Sequence, residues 1–140
     1  MANTVEVATK EFADKGLSGA AQAARFTFDY PLANPVFIRL VMTENIHNRE
    51  FLARSKTIKQ LNIPVIHAVK TVYDRGVKAG AFRRGLDAVE LHMSISASCF
   101  FNVANCHNFA LIFKRDMTEP EAMQSGRKNI VEMVARFVQK

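Results

Sequence analysis

Apolar residues recur along this chain at the spacing of one helix face after another, and no stretch sustains the two-residue alternation of a half-buried strand. The first pattern runs from Thr4 to Lys15, with Val5, Ala8 and Phe12 on one side and Gly16 as a stop. An alanine-rich stretch from Ala20 to Tyr30, carrying Phe26 and Phe28, predicts a second helix that Pro31 and Pro35 punctuate. Asn34-Pro35 has the form of an N-cap with proline in the first turn, and Val36, Phe37, Leu40 and Val41 continue as an apolar stripe toward Glu44 and Asn45. A further pattern from Arg49 to Lys59 carries Phe51, Leu52 and Ile58, after which Asn62-Ile63-Pro64 is expected to reset the chain. Val65, Ile66, Val69, Val72 and Tyr73 then form a broad stripe, ended by Gly76, Gly80 and a turn over 81–85.

Asp87 and Glu90 make a capping box for the longest predicted helix, which runs to Lys114. Thr118, Pro120 and Glu121 open the last one, whose stripe is Met123, Ile130, Val134 and Phe137, flanked by Val131 and Val138. The fold class is therefore all-α. The long helix is apolar on two sides: Val89, Met93, Ser96, Phe100, Val103, His107 and Leu111 share one, Leu91, Ile95, Ser98, Asn102, Asn105, Phe109 and Phe113 the other. A surface helix needs one such stripe, so the second implies a partner subunit, a cavity, or both.

The 140 residues, 49% of them hydrophobic and 23% charged, match one packed domain rather than a disordered segment. The most apolar run, Met93 to Phe113, is interrupted by Ser94, Ser96, Ser98, Asn102, Asn105, His107 and Asn108, too often for a membrane span. No signal-like basic and apolar pair opens the sequence, so a cytoplasmic location is expected. Cys99 and Cys106 would lie about 10 Å apart along a helix, too far for a disulfide, and read as reduced thiols. The net charge of +6 permits an anionic partner. Its carriers, Arg49, Arg54, Lys56 and Lys59, then Lys70, Arg75, Lys78, Arg83 and Arg84, lack interleaved aromatics and read as solvated helix surface.

Chemistry is sparse. His47, His67, His92 and His107 show no metal-ligand spacing, the glycines sit at helix ends rather than in a phosphate loop, and no nucleophile has a recognisable base. No metal, cofactor or catalytic residue is assigned, and an enzyme is not expected. What needs explaining is the set of polar residues on apolar helices: Glu44, Asn45, His67, Tyr73, His92, Asn102, Asn105 and Asn108.

Val7-Ala8-Thr9-Lys10-Glu11-Phe12-Ala13-Asp14-Lys15-Gly16-Leu17-Ser18-Gly19-Ala20 resembles the first helix and turn of the tetracycline-repressor (TetR) family of transcriptional regulators. Tyr73-Asp74-Arg75-Gly76-Val77-Lys78-Ala79-Gly80-Ala81-Phe82-Arg83, followed by the capped helix from Asp87, resembles the second half of that family's regulatory domain. Nothing like the helix-turn-helix that reads DNA in the family follows Ala20 in these residues. The resemblance divides the chain into a remnant of a DNA-binding domain, 1–20, and a helical ligand-binding and dimerisation domain, 21–140.

That resemblance implies a ligand-responsive transcriptional regulator, a repressor released from DNA by a small-molecule effector of unspecified identity; operator DNA is a partner only of a molecule that carries the helix-turn-helix. It implies a mostly apolar pocket among the middle helices, walled by Phe37, Leu40, Ile66, Tyr73 and Phe100, with Asn45, His67 and Asn105 as polar selectors. It also implies a homodimer through Ile95, Asn102, Phe109, Phe113, Met123, Ile130, Val134 and Phe137. The alternative is a ligand-binding or dimerisation module that never contacts DNA.

Overall fold

The computed structural model describes residues 18–54 and 56–140, and the helix expected over Thr4–Lys15 lies outside them. Six α-helices occur among the described residues: α1 (Ser18–Ala33), α2 (Pro35–Ile46), α3 (Lys56–Lys78), α4 (Ala88–Ala104), α5 (Cys106–Phe113) and α6 (Pro120–Val138).

Helix α1 is the axis of the bundle. Its alanines Ala20, Ala21 and Ala24 are buried, and such small side chains let α4 and α6 come close on either side. Phe28, from the next turn of the same face, fills the space between them, near enough to Gly126 of α6 that a Cβ there would meet its ring. Val69 and Tyr73 of α3, Leu91, Ile95 and Cys99 of α4, and Ile130, Val131, Val134, Ala135 and Val138 of α6 complete one core. The void left at its centre is about 10 Å³, room for a single water at most.

Local chemistry sets several boundaries differently from the simple periodic reading. The long helix is two helices, because Asn105 breaks it with φ −107° and ψ 8°. Short amide side chains compete for backbone carbonyls: Asn102 Nδ2 donates to the Ser98 oxygen at 2.9 Å and Asn105 Nδ2 to that of Phe101 at 3.4 Å. Of the helix expected over Arg49–Lys59, the stretch Arg49–Arg54 is turns instead, with Asn48 and Arg49 at positive φ and a single 3₁₀ turn at Leu52–Arg54, while Lys56–Lys59 belong to the start of α3. Glu44 organises this corner. Its side chain is buried and Oε2 accepts the Leu52 amide at 2.9 Å, while its carbonyl accepts that of Arg49 at 2.8 Å.

Pro64 does not reset the chain but lies inside α3, on an exposed side where water can satisfy the carbonyl it leaves unpaired. Pro31 likewise sits within the last turn of α1. Asn34 precedes α2 as expected, yet its side chain makes no cap bond and donates instead to the Tyr30 carbonyl behind it at 2.9 Å. Thr118 is not the cap of α6, since Glu119 holds that position; the Thr118 amide and hydroxyl both reach Asp116 Oδ1, forming a turn ahead of the helix. Asp87 does cap α4, accepting the amides of Val89 and Glu90 at 2.9 and 3.0 Å.

One feature has no helical signature. The chain end runs antiparallel to the loop after α3, with an isolated bridge between Phe82 and Gln139, the Arg83 amide donating to Val138 at 2.9 Å and the Lys140 amide to Ala81 at 3.0 Å. Phe82 is buried against Gly76, where any Cβ would collide with its ring, so the glycine is required for packing.

Candidate functional site

Helices α2 and α3 both pack against α4 and barely touch each other. On α3, Val72 faces α1, because a Cβ on Gly19 would strike it, and Ile66 is half-buried on the other flank of the Val69–Tyr73 stripe. On α4, Leu91, Ile95 and Cys99 are in the core and Asn102 lies near Gly126 of α6, while His92, Ser96, Phe100 and Val103 are half-buried. His92 and Ser96 are one turn apart, with Nε2 and Oγ separated by 3.4 Å. Burial pulls the His92 pKa below the ordinary value, which favours a neutral ring.

Of the pocket residues expected from sequence, Ile66 on α3 and Phe100 on α4 are half-buried. Phe37 and Leu40 are exposed on α2, Phe37 with its ring 5.4 Å from that of Tyr30 on α1. Tyr73 is elsewhere, in the packed core, its hydroxyl donating to the Arg83 carbonyl and accepting the Leu86 amide. Asn45 is exposed, with Nδ2 turned back to the Val41 carbonyl, His67 is on the solvent side of α3, and Asn105 is at the α4–α5 break. Tyr73 also borders an open surface dish of about 470 Å³ with Asp74, Val77, Lys78, Arg84 and Gly85. His92 and Ser96 are the polar residues the pocket reading passed over, although their four-residue spacing was visible as a one-sided polar pair.

A family model described as the tetracyclin repressor-like C-terminal domain matches residues 18–134. The chain belongs to the TetR family of transcriptional regulators. It is 22% identical over 111 residues to the HTH-type transcriptional repressor NicS of Pseudomonas putida, a match covering 79% of this chain and 52% of that protein. The chain thus spans about half the length of the curated relative it matches. TetR-family regulators are in general dimeric and ligand-responsive and bind operator DNA.

For a TetR-family domain, the surface available to a second copy matters. Ile95, Ile130 and Val134, expected at a partner interface, are instead in the subunit's own core. Asn102 and Met123 are half-buried, and Phe109 is wedged between the rings of Phe101 and Phe113 at 5.3 and 5.1 Å. The break at Asn105 turns α5 off the line of α4, so residues 95 and 102 no longer share a face with 109 and 113. Phe113 and Phe137 remain exposed. The open apolar row of α4 is Val89, Met93, Ala97 and Phe101, with Met133 and Phe137 exposed on α6, which packs beside it.

Among the described residues no group of three or more His, Cys, Asp or Glu side chains could hold a metal ion, and no helix is long and apolar enough to cross a membrane. Arg49, Arg54, Lys70, Arg75, Lys78, Arg83 and Arg84 are all exposed.

Proposed function

We propose that this chain is the effector-binding and dimerising part of a cytoplasmic TetR-family repressor, and that a small molecule seated between α2, α3 and α4 shifts the arrangement of two subunits and so lowers operator affinity. What supports the reading is a set of half-buried residues on α4, apolar Phe100 and Val103 with the polar pair His92 and Ser96, on a helix against which α2 and α3 pack separately. An effector acts by binding one arrangement more tightly than the other, and it moves the equilibrium by that difference alone. The partner surface in this reading is the row Val89, Met93, Ala97 and Phe101 with Met133 and Phe137, a self-complementary face of the kind two-fold dimers use. Resemblance to a repressor supports the sign of the response.

A thermal-shift screen of the purified chain against small metabolites tests it. Binders should raise the melting temperature, and Ser96→Phe, which fills the gap, should abolish the rise. Stabilisation that survives Ser96→Phe for every binder would contradict the assignment.

A further inference from the structure

We propose that the open dish at the end of α3 is a binding site for a small, doubly charged oxyanion of the phosphate-monoester class, a site independent of the effector reading above.

The dish, about 470 Å³, is lined by Tyr73, Asp74, Val77 and Lys78 of α3 and by Arg84 and Gly85 of the loop that follows. Its volume is that of a small-molecule site. Three charged side chains border it, and their balance sets the sign of the ligand. Asp74 is compensated by its own helix, because Lys70 Nζ one turn earlier donates to Oδ2 at 2.6 Å. The Lys78 ammonium and the Arg84 guanidinium have no ion-pair or hydrogen-bond partner among the described residues. Two uncompensated cations, one from the helix and one from the loop, therefore border one concavity, and like charges around a concave surface reinforce each other's field. The neighbouring Arg83 is committed elsewhere, its guanidinium carbon 4.2 Å from the centre of the Phe137 ring.

The backbone that carries Arg84 supports the same reading. The buried Tyr73 donates its hydroxyl to the Arg83 carbonyl at 2.8 Å and accepts the Leu86 amide on it at 3.0 Å, so the dipeptide Arg84-Gly85 is pinned on both sides by one side chain. Gly85 has φ +88°, and a Cβ there would meet nothing within 4 Å, so the turn and not the packing requires the glycine. Neither the Arg84 amide nor the Gly85 amide makes a hydrogen bond among the described residues, which leaves two backbone donors in this turn for water or an anion. A turn already fixed gives up little freedom when a ligand arrives. Tyr73 and Val77 add an apolar portion of wall, which suits an organic monoester better than the inorganic ion.

The test titrates the ¹⁵N-labelled chain with phenyl phosphate at mildly alkaline pH, where the ester is a dianion, and at constant ionic strength, so that screening does not change. The amides of Val77, Lys78, Arg84 and Gly85 should shift together and saturate, while phenol, the same body without the charge, should leave them in place. Lys78→Gln and Arg84→Gln, both at exposed positions, should each raise the dissociation constant about fivefold, the scale of one exposed ion pair. Lys114→Gln, which removes an exposed cation at the end of α5, should leave it unchanged. Unsaturable shifts spread equally over Arg49, Lys114 and Arg115, an unchanged constant in either dish variant, or an equal response to phenol would overturn the proposal. So would perturbation of the same amides by a short DNA duplex at far lower concentration than by phenyl phosphate, which would make this surface a nucleic-acid contact.

Discussion

The phenol of Tyr73 and the carbonyl of Arg83 are joined by a 2.8 Å hydrogen bond, and the same hydroxyl accepts the Leu86 amide at 3.0 Å. One buried side chain therefore ties α3 to the middle and the far end of the loop that carries Phe82 into the core and pairs with the chain terminus. Tyr73→Phe keeps the ring and strands a carbonyl and an amide. It should cost roughly 1–3 kcal/mol, seen as a lower midpoint in urea unfolding with an unchanged slope. A midpoint within error of the parent would mean that water replaces the hydroxyl.

Dimerisation should respond to the exposed row rather than to the core residues. Met93→Glu combined with Met133→Glu places charges on a face that the fold leaves open, so sedimentation should show a folded monomer where the parent is a dimer. Val134→Asp should unfold the subunit instead, because Val134 is in its core. A parent chain that sediments as a monomer at micromolar concentration would remove the proposed interface.

The two thiols should behave differently. Cys99 is fully buried, its Sγ 3.7 Å from the Ala24 carbonyl, and burial, aided by the charge of Asp29, pushes its pKa up to about 12. Cys106 is half-buried at the start of α5. A thiol reagent should titrate Cys106 in the native protein and Cys99 only on unfolding. Because the folded pKa of Cys99 is raised, its contribution to stability is present below the ordinary thiol value of 9.0 and is lost as pH rises toward 12. Cys99→Ala, though less stable at neutral pH, should lose less stability than the parent across that window.

His92 gives the opposite trend. Its folded pKa lies below the ordinary imidazole value of 6.5, so the stability linked to it is present above that value and declines as pH falls through the folded pKa. His92→Gln should flatten the acid limb of a melting-temperature profile; an unchanged limb would place the ring in water.

The helical class and the α3 stripe were legible because Val69 and Tyr73 recur at the helical period, and the start of α4 because Asp87 can cap in only one place. The break at Asn105 was hidden by the apolar residues around it, since periodicity counts side chains and overlooks amides that compete for backbone carbonyls. Tyr73 read as a pocket residue because its polar partners, the Arg83 carbonyl and the Leu86 amide, are backbone groups that only the folded loop brings to it. Ile95 read as a partner contact for a similar reason: two apolar sides are visible on a helix, but which of them α1 covers depends on the alanines of another helix. Ile66 and Phe100 were readable as apolar helix positions, whereas the pairing of His92 with Ser96 emerged only when both were set on one flank of α4.

Isoleucine methyl NMR tests the central claim most directly, because Ile38 and Ile46 report on α2, Ile66 on the gap, Ile95 and Ile130 on the core and Ile112 on α5. On addition of a small molecule that raises the melting temperature, the account predicts that the Ile66 methyl shifts first and most, while Ile112 and Ile46 stay fixed. Saturable binding that leaves Ile66 unmoved and shifts only methyls away from the gap would contradict it.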